Sequence, residues 1–261
     1  MKKSLKVRIA IRRAKELLNE VGYSKPNDFT LDELIWYHDG IPKYEALENC
    51  FGRIVFGEKR ATITIDSKIQ FQPKIRFIKA HELGHLLLHK KHKRNFFDTD
   101  KTINEWLAKG NHEIEANSFA SELLMPSNFF EKFVHGQKIN KQLIDSATDS
   151  FGVSKTAFFL RYVDYGAYPI AVVFSEKGII KWRSITQDFA LQYIQIGNKV
   201  PFNTVTREIL KGGAVSSEPE IVNAKDWFSD DFEISKYKNW KFKELCFRTS
   251  KDCILTCIWE L

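Results

Sequence analysis

The sequence predicts an α+β fold, with helices before residue 165 and a second group of strands after residue 170. Three patterns predict it. Apolar residues recur at spacings of three and four in several early segments, and residues 52–66 alternate between apolar and polar as in a β-hairpin. The last third of the chain holds short apolar runs separated by turn residues. With 261 residues, the chain has room for one large domain or two smaller ones.

Composition favours a soluble globular protein. The chain is 43% hydrophobic and 28% charged, and no apolar run approaches the length of about 18 residues that a membrane helix needs. The net charge of +7 bears on association, and it suits nucleic acid and acidic protein partners equally well. The four cysteines fit neither a disulfide framework nor a paired C-x-x-C zinc site, so we expect a reducing cytoplasm.

Two helices and a hairpin precede the central part of the chain. Residues 2–22 are rich in Lys and Arg, as in a transit peptide, but their apolar residues share one helical face and predict a first helix of the folded domain. Residues 28–38 predict a second helix. Residues 52–57 and 61–66 predict the two strands of the hairpin, whose exposed edge would bind an extended peptide by strand addition.

The most informative motif is His-Glu-Leu-Gly-His, an instance of H-E-x-x-H, at residues 81–85. On a helix, His81 and His85 lie one above the other on the same face. They can hold one metal ion, with Glu82 beside it as a general base.

The flanking residues predict that this helix is buried. Both histidines belong to an apolar stripe with spacings of three and four, and leucines cover the other sides of the helix. Pro73 suits its first turn. Two histidines without partners would be costly in such a place, and their spacing around a glutamate indicates a metal site.

A helix over residues 111–124 offers the third ligand. Its apolar stripe, extended back by one turn, reaches Glu113, whereas Glu115 points to a different face. Pro126 ends the helix. We expect Glu113 to be the ligand, with Glu115 as the alternative. The simplest other explanation of Glu113 is an acidic first-turn residue that the helix dipole favours.

Distance constrains the remaining histidines. His89 lies about 12 Å along the helix axis from His81, too far to share one ion with both motif histidines. His112, next to the expected third ligand, is a group that polarises the substrate, a surface residue or a residue that contacts the metal ligands from outside. Asn117, one turn further along that helix, is the candidate for orienting a ligand histidine. Residues 95–110 predict a loop or a short helix.

Two blocks carry a resemblance to a known family. They are IRFIKAHELGHLLLH, which contains the motif, and EIEANSFASELLMP, which contains Glu113. Together they resemble the ImmA/IrrE family of zinc metallopeptidases. The resemblance implies a minimal zincin-like metallopeptidase domain in which His81, His85 and Glu113 hold Zn2+ and Glu82 is the catalytic base. The residue types alone allow another divalent metal.

The resemblance also implies a biological role. Members of the family are cytoplasmic bacterial or phage proteins, and their known substrates are transcriptional repressors with helix-turn-helix domains. We therefore expect a zinc-dependent endopeptidase that cleaves such a DNA-binding repressor. Cleavage would relieve the repression of mobile-element or stress genes. A membrane partner is not expected.

The next segment predicts a helix, a turn and a helix. Residues 142–150 and 155–165 flank Gly152, which suits the turn, and longer members of the family carry a similar segment. Lys155 and Arg161 offer positive charge to DNA. Base readout needs Arg, Asn or Gln on an exposed face, and the neighbouring phenylalanines favour a packing role instead.

The last part of the chain predicts an α+β module without a chemical motif. Its predicted strands are 170–174, 178–182, 245–247 and 254–259, and 204–210 is a predicted short helix. The expected division is a zincin-like metallopeptidase domain at 1–135, a helix-turn-helix-like segment at 136–166 and a C-terminal, sensor-like α+β module at 167–261.

Two other functions compete with peptide-bond hydrolysis. The first is a non-enzymatic transcriptional regulator that binds DNA through residues 139–165 and has a structural metal site. Glu82 argues against it, because a structural site needs no general base. The second is a sensor whose C-terminal module binds a ligand and gates the peptidase.

Overall fold

Two β-sheets and ten helices form the part of the chain that the computed structural model describes, which is residues 3–26, 28–90, 96–98 and 111–261. The predicted α+β class is confirmed. None of the helices within these ranges has the length and apolar character that a membrane span requires.

The helices and strands predicted outside residues 95–110 are present, and the structure adds others. The helices are α1 (Leu5–Glu20), α2 (Leu31–Tyr37), α3 (Gln72–His89), α4 (Asn111–Leu124), α5 (Ser127–Val134), α6 (Lys141–Phe151), α7 (Lys155–Tyr165), α8 (Val205–Leu210), α9 (Ala224–Trp227) and α10 (Ile234–Tyr237). The strands are β1 (Gly40–Glu45), β2 (Gly52–Phe56), β3 (Ala61–Asp66), β4 (Phe96–Asp98), β5 (Ala171–Glu176), β6 (Ile179–Ile185), β7 (Glu220–Asn223), β8 (Lys241–Ser250) and β9 (Cys253–Glu260).

Residue contacts divide the chain into two compact units. The first unit comprises Met1–Lys132 and Ala147–Ser154, and the second comprises Phe133–Ser146 and Lys155–Leu261. The division into three parts at residues 135 and 166 stays a prediction.

In the first unit, α1 and α2 begin where side chains cap their free N–H groups. Ser4 accepts a hydrogen bond from the Val7 N–H at 3.3 Å, and Thr30 and Glu33 form a reciprocal capping box. The apolar face of α1 is fully buried at Ala10 and packs against α4. This packing places α4 between α1 and α3, since α4 also packs on α3.

The sheet of the first unit has the strand order β1-β3-β2-β4. β2 and β3 form the predicted antiparallel hairpin, with Ile54 opposite Ile63, and α3 packs against both strands. The hairpin edges that could bind a peptide are largely paired, because β1 pairs with β3 and β4 pairs with residues 52–54 of β2. Among the described strands, the outer edges of this sheet belong to β1 and β4.

Several elements were not evident from the sequence. β1 contains Pro42 but lies at the sheet edge, parallel to β3, where one row of N–H groups needs no partner. Residues 96–98 form β4 against β2 where a loop or short helix is expected, and the rest of 91–110 lies outside the described residues. β7, α9 and α10 have four residues each, too few for a periodic pattern.

The second unit is built on an antiparallel sheet with the order β6-β5-β9-β8-β7. Lys177 (φ 49°) and Gly178 (φ 74°) both have left-handed backbones, as a two-residue hairpin turn requires. One face of the sheet packs into an apolar cluster that includes Phe242. On the other face, the ring of Phe159 from α7 lies 5.8 Å from that of Phe247.

The predicted helices of the helix-turn-helix segment are present as α6 and α7, and Gly152 between them has a φ of 63°. Arg161 is only 4% exposed, and its guanidinium lies 4.3 Å from the centre of the Tyr165 ring. The Lys155 ammonium lies 2.8 Å from a carboxylate oxygen of Asp145. Both positive charges are engaged within the protein, which agrees with a packing role for this segment.

Glu244 is a buried carboxylate that links three elements of the second unit. It is fully buried and accepts hydrogen bonds of 2.7–3.1 Å from the Val205 and Thr206 N–H groups, the Thr206 hydroxyl and the Trp227 indole. The variant Glu244→Ala removes the acceptor of the two backbone N–H groups and of the indole, so we expect it to lower the free energy of unfolding by at least about 3 kcal/mol. Urea unfolding measures the loss. The exposed Glu220→Ala is the control, expected to stay within about 0.5 kcal/mol of wild type; equal effects would contradict this role of Glu244.

Tyr162 gives the second unit a sensitivity to alkaline pH. Burial, aided by the nearby Cys257 thiol, raises the pKa of the Tyr162 hydroxyl from 10.0 to about 12. Above pH 10 the unfolded chain therefore releases a proton that the folded state retains, and stability falls as the pH rises towards 12. We expect Tyr162→Phe to show a shallower fall than wild type in urea unfolding over this range. The exposed Tyr37→Phe is the control, and parallel curves for all three proteins would rule the effect out.

Candidate metal centre

Helix α3 carries the H-E-x-x-H motif through the interior of the first unit. It begins after Phe71 with Pro73 in its first turn, as predicted. His81 is 1% exposed, and Glu82 and His85 are fully buried. The helix is apolar nearly all round, which is why it lies inside the unit.

A glycine brings the second helix of the site close to the first. A Cβ atom on Gly84 would lie 3.2 Å from Ala116 Cα and 3.1 Å from Phe119 Cδ1, both on α4. A larger residue at this position would require these atoms of α4 to move by a few tenths of an ångström. Glu113 precedes Ala116 by three residues, so the close approach also brings the Glu113 carboxylate to the motif.

Three side chains converge on one point between α3 and α4. The Nε2 atoms of His81 and His85 are 2.9 Å apart. The two carboxylate oxygens of Glu113 lie 3.2 Å from His81 Nε2 and 3.4 Å from His85 Nε2. One ligand atom from each residue lies within 4.8 Å of the others, a grouping that could hold a metal ion. Of the two glutamates that the sequence leaves open, the structure places Glu113 here and Glu115 elsewhere.

The local electrostatics keep the Glu113 carboxylate ionised. Its burial on its own would raise its pKa. Hydrogen bonds and positive charge from His81 and His85 outweigh that effect and hold the pKa of Glu113 well below its usual range. This low pKa holds for Glu113 beside protonated imidazole rings; beside neutral rings, a metal ion would have to supply the positive charge.

The hydrogen bond made by the other ring nitrogen of His81 shows whether these three residues suit a metal ion. Its Nδ1 lies 2.8 Å from Oδ1 of Asn117, the residue predicted to orient a ligand histidine. An amide oxygen only accepts, so Nδ1 carries the proton and the Nε2 lone pair of a neutral His81 faces Glu113. A lone pair and a carboxylate repel each other unless a cation lies between them. Two imidazole nitrogens and a carboxylate are a ligand set that zinc takes in peptidases, so the residues fit a divalent metal.

Glu82 lies on the sheet side of α3. Both of its carboxylate oxygens are shielded from solvent. A Cβ atom on Gly52 of β2 would lie 3.0 Å from Glu82 Oε1 and 2.4 Å from Ile78 Cγ2. Gly52 therefore makes the room that Glu82 occupies. The only sequence signal for this role is a glycine in a strand, which often marks a close approach of another group.

A second group of polar side chains lies beside the first. His89 Nδ1 is 2.9 Å from His85 Nδ1, and His89 Nε2 is 3.1 Å from Glu115 Oε2. The His112 ring packs edge-on against that of His89, with centroids 4.5 Å apart. His89, His112 and Glu115 also have ligand atoms within 4.8 Å of one another. Sequence reasoning separated His89 from the motif but did not pair it with Glu115.

Two helices that present two histidines and a glutamate to one point, beside a small mixed sheet, define a candidate metal-binding α+β domain. Residues 53–161 match the Peptidase_M78 family model, described as the IrrE N-terminal-like domain. The match includes α3 and α4, and it supports a function of metallopeptidase type. This part of the chain is similar to the IrrE N-terminal-like domain, and the predicted resemblance to the ImmA/IrrE family is confirmed by this match.

A solved structure described as a Mycobacterium tuberculosis transcriptional regulator has a similar fold, with a TM-score of 0.64. The similarity covers 97% of this chain and 76% of that chain, at 14% sequence identity. At this identity the likeness establishes the fold alone. No curated protein matches the sequence.

The space at Gly52 can be tested by filling it. We expect Gly52→Ala to lower the free energy of unfolding by about 1–3 kcal/mol, because the new methyl group overlaps Ile78 in a packed core. Urea unfolding of a double-mutant cycle provides the control. In the Ile78→Ala background, the same substitution should cost much less. An unchanged cost in that background would show that Gly52 does not set the space beside α3.

Proposed function

We propose that the protein is a metal-dependent endopeptidase, in which His81, His85 and Glu113 hold Zn2+ and Glu82 is the general base. The convergence of the two Nε2 atoms and the Glu113 carboxylate supports this proposal most directly. The chain supplies three ligands, which is the number that catalytic zinc sites use, whereas structural sites close with four. Among the described residues, no fourth His, Cys, Asp or Glu joins this group.

The proposed chemistry is the addition of water to a peptide bond. When bound, a zinc ion supplies Lewis acidity towards a water molecule and the scissile carbonyl. Glu82 accepts the proton from that water and delivers it to the leaving amine. Glu82 is fully buried, away from bulk solvent. Asn117 accepts the hydrogen bond from Nδ1 of His81 and thereby leaves the Nε2 lone pair of this ring available to bind the proposed metal.

We propose a helix-turn-helix transcriptional repressor as the substrate. Support comes from the family resemblance, since substrates of this kind are what known members cleave, and from the match of residues 53–161 to the IrrE N-terminal-like domain. The cleavage would relieve repression of mobile-element or stress genes. The rival DNA-binding role has less support, because Arg161 is buried and Lys155 is paired with Asp145.

The base assignment is tested by a variant that keeps the metal. Glu82→Gln changes no proposed ligand, so we expect it to retain zinc and to lose about 100- to 10,000-fold in cleavage rate. Zinc content is measured by elemental analysis of the purified chain, and cleavage by mass spectrometry of the products. Glu58→Gln, in the exposed loop between β2 and β3, is the matched control and should match wild type in both.

The substrate is the repressor encoded beside the gene, incubated with wild type, with each variant and with a chelator. Cleavage that survives in Glu82→Gln would refute the role of Glu82. A wild-type protein that binds no zinc would refute the proposed site. If an unrelated unfolded protein is cut but the repressor is not, the peptidase proposal survives and the substrate class is wrong.

A further inference from the structure

A chain of hydrogen bonds leads away from His85 through the ring nitrogen that does not face the proposed metal. Nδ1 of His85 lies 2.9 Å from Nδ1 of His89, and Nε2 of His89 lies 3.1 Å from Oε2 of Glu115. His89 is 1% exposed, and the Glu115 side chain is 13% exposed. The other oxygen of Glu115 lies 3.7 Å from the Lys6 ammonium on α1, so the carboxylate also belongs to an ion pair.

The position of one proton follows from the end of this chain. An ionised carboxylate only accepts hydrogen bonds, so His89 Nε2 must donate to Glu115. A neutral His89 then has a lone pair on Nδ1. The short contact between the two Nδ1 atoms needs one proton, and His85 must supply it. His85 Nε2 is therefore left as a lone pair that faces His81 and Glu113, which is the form that binds a metal.

The position of the proton between His85 and His89 also decides whether the second group of polar side chains can hold a metal ion. The ligand atoms of His89, His112 and Glu115 are close enough for one ion. For His89 Nε2 to bind that ion, its Nδ1 would have to carry the proton and donate it to His85. The proton of a neutral His85 would then sit on Nε2, where it blocks the first site. With neutral rings, the two groups cannot both be filled.

We propose that His89 and Glu115 are positioning residues that fix the tautomer and ring orientation of His85, so that the chain binds one zinc ion and not two. The proposal rests on the metal site described under the proposed function. His89 acts through His85, and Glu115 acts through His89. Outer partners of this kind typically change metal affinity by 10- to 100-fold when they are removed.

Two substitutions of His89 distinguish the effect of its hydrogen bond to His85 from the effect of its side-chain volume. Asn can place its side-chain oxygen near the position of His89 Nδ1 and accept from His85, whereas Leu fills similar space with no acceptor. We expect His89→Leu to weaken zinc binding by about 10- to 100-fold, measured by competition with a chelating dye, and His89→Asn to recover most of the loss. Glu115→Gln, which keeps an accepting oxygen, should bind zinc more tightly than Glu115→Leu.

The tautomer has its own signature. Two-dimensional 1H–15N spectra of the histidine rings distinguish a protonated Nδ1 from a protonated Nε2. Where the His85 ring of the metal-free wild type is neutral, we expect its proton on Nδ1, and in His89→Leu we expect a mixture of both tautomers. A merely structural role of His89 would leave the tautomer of His85 unchanged, and that result would overturn the proposal.

His112→Phe is the control for a second metal site. It keeps an aromatic ring against His89 and removes both nitrogens of His112. We expect one zinc ion per chain and unchanged zinc affinity in both the wild type and this variant. A second equivalent of zinc that is bound by wild type and lost in His112→Phe would overturn the proposal in favour of a second metal site.

The variant His81→Ala distinguishes a failure of the positioning role from a failure of the proposed metal site. If His81→Ala abolishes zinc binding while His89→Leu binds as tightly as wild type, the metal site stands and the positioning role is wrong. If wild type binds no zinc, or if His81→Ala binds it normally, the metal site is wrong and the positioning role falls with it.

Discussion

The close approach of α3 and α4 is the constraint on which the candidate site depends. Gly84 faces Ala116 across this interface, where a Cβ atom would lie only 3.2 Å from Ala116 Cα. Four polar contacts cross it. They join Glu113 to His81 and to His85, Asn117 to His81, and Glu115 to His89. A wider separation would break all four at once, because each depends on side chains of fixed length reaching from one helix to the other.

The site concentrates polar groups in an interior that otherwise excludes them. Burying an unpaired polar group is costly, so each ring nitrogen that faces away from the proposed metal has a hydrogen-bond partner. Those partners fix the direction of the remaining lone pairs, and the same arrangement that satisfies the interior prepares it for a cation. The sheet provides no proposed ligand or base. Its contribution is Gly52 on β2, which leaves room for the Glu82 side chain.

The second unit has a different organisation. Its sheet is covered on one face by α7 and on the other by an apolar cluster, and its buried polar groups serve packing. Glu244, for example, gathers donors from α8 and α9, which are too short to be stable without tertiary contacts. The fold similarity to the mycobacterial structure covers 97% of the chain and thus includes this unit as well as the first.

The sequence by itself determined the features that repeat locally. The 3.6-residue period located α3 and α4 and put Glu113 on the buried face, and the alternation of apolar residues located the β2–β3 hairpin. Only the tertiary structure decided which edge β1 joins, that residues 96–98 form a strand, and that His89 meets Glu115. These contacts join residues far apart in the chain, and their energies depend on the spacing between packed elements. A local pattern carries no information about that spacing, so the proposed metal ligands could be predicted from the sequence, and the groups that would orient them could be predicted only in part.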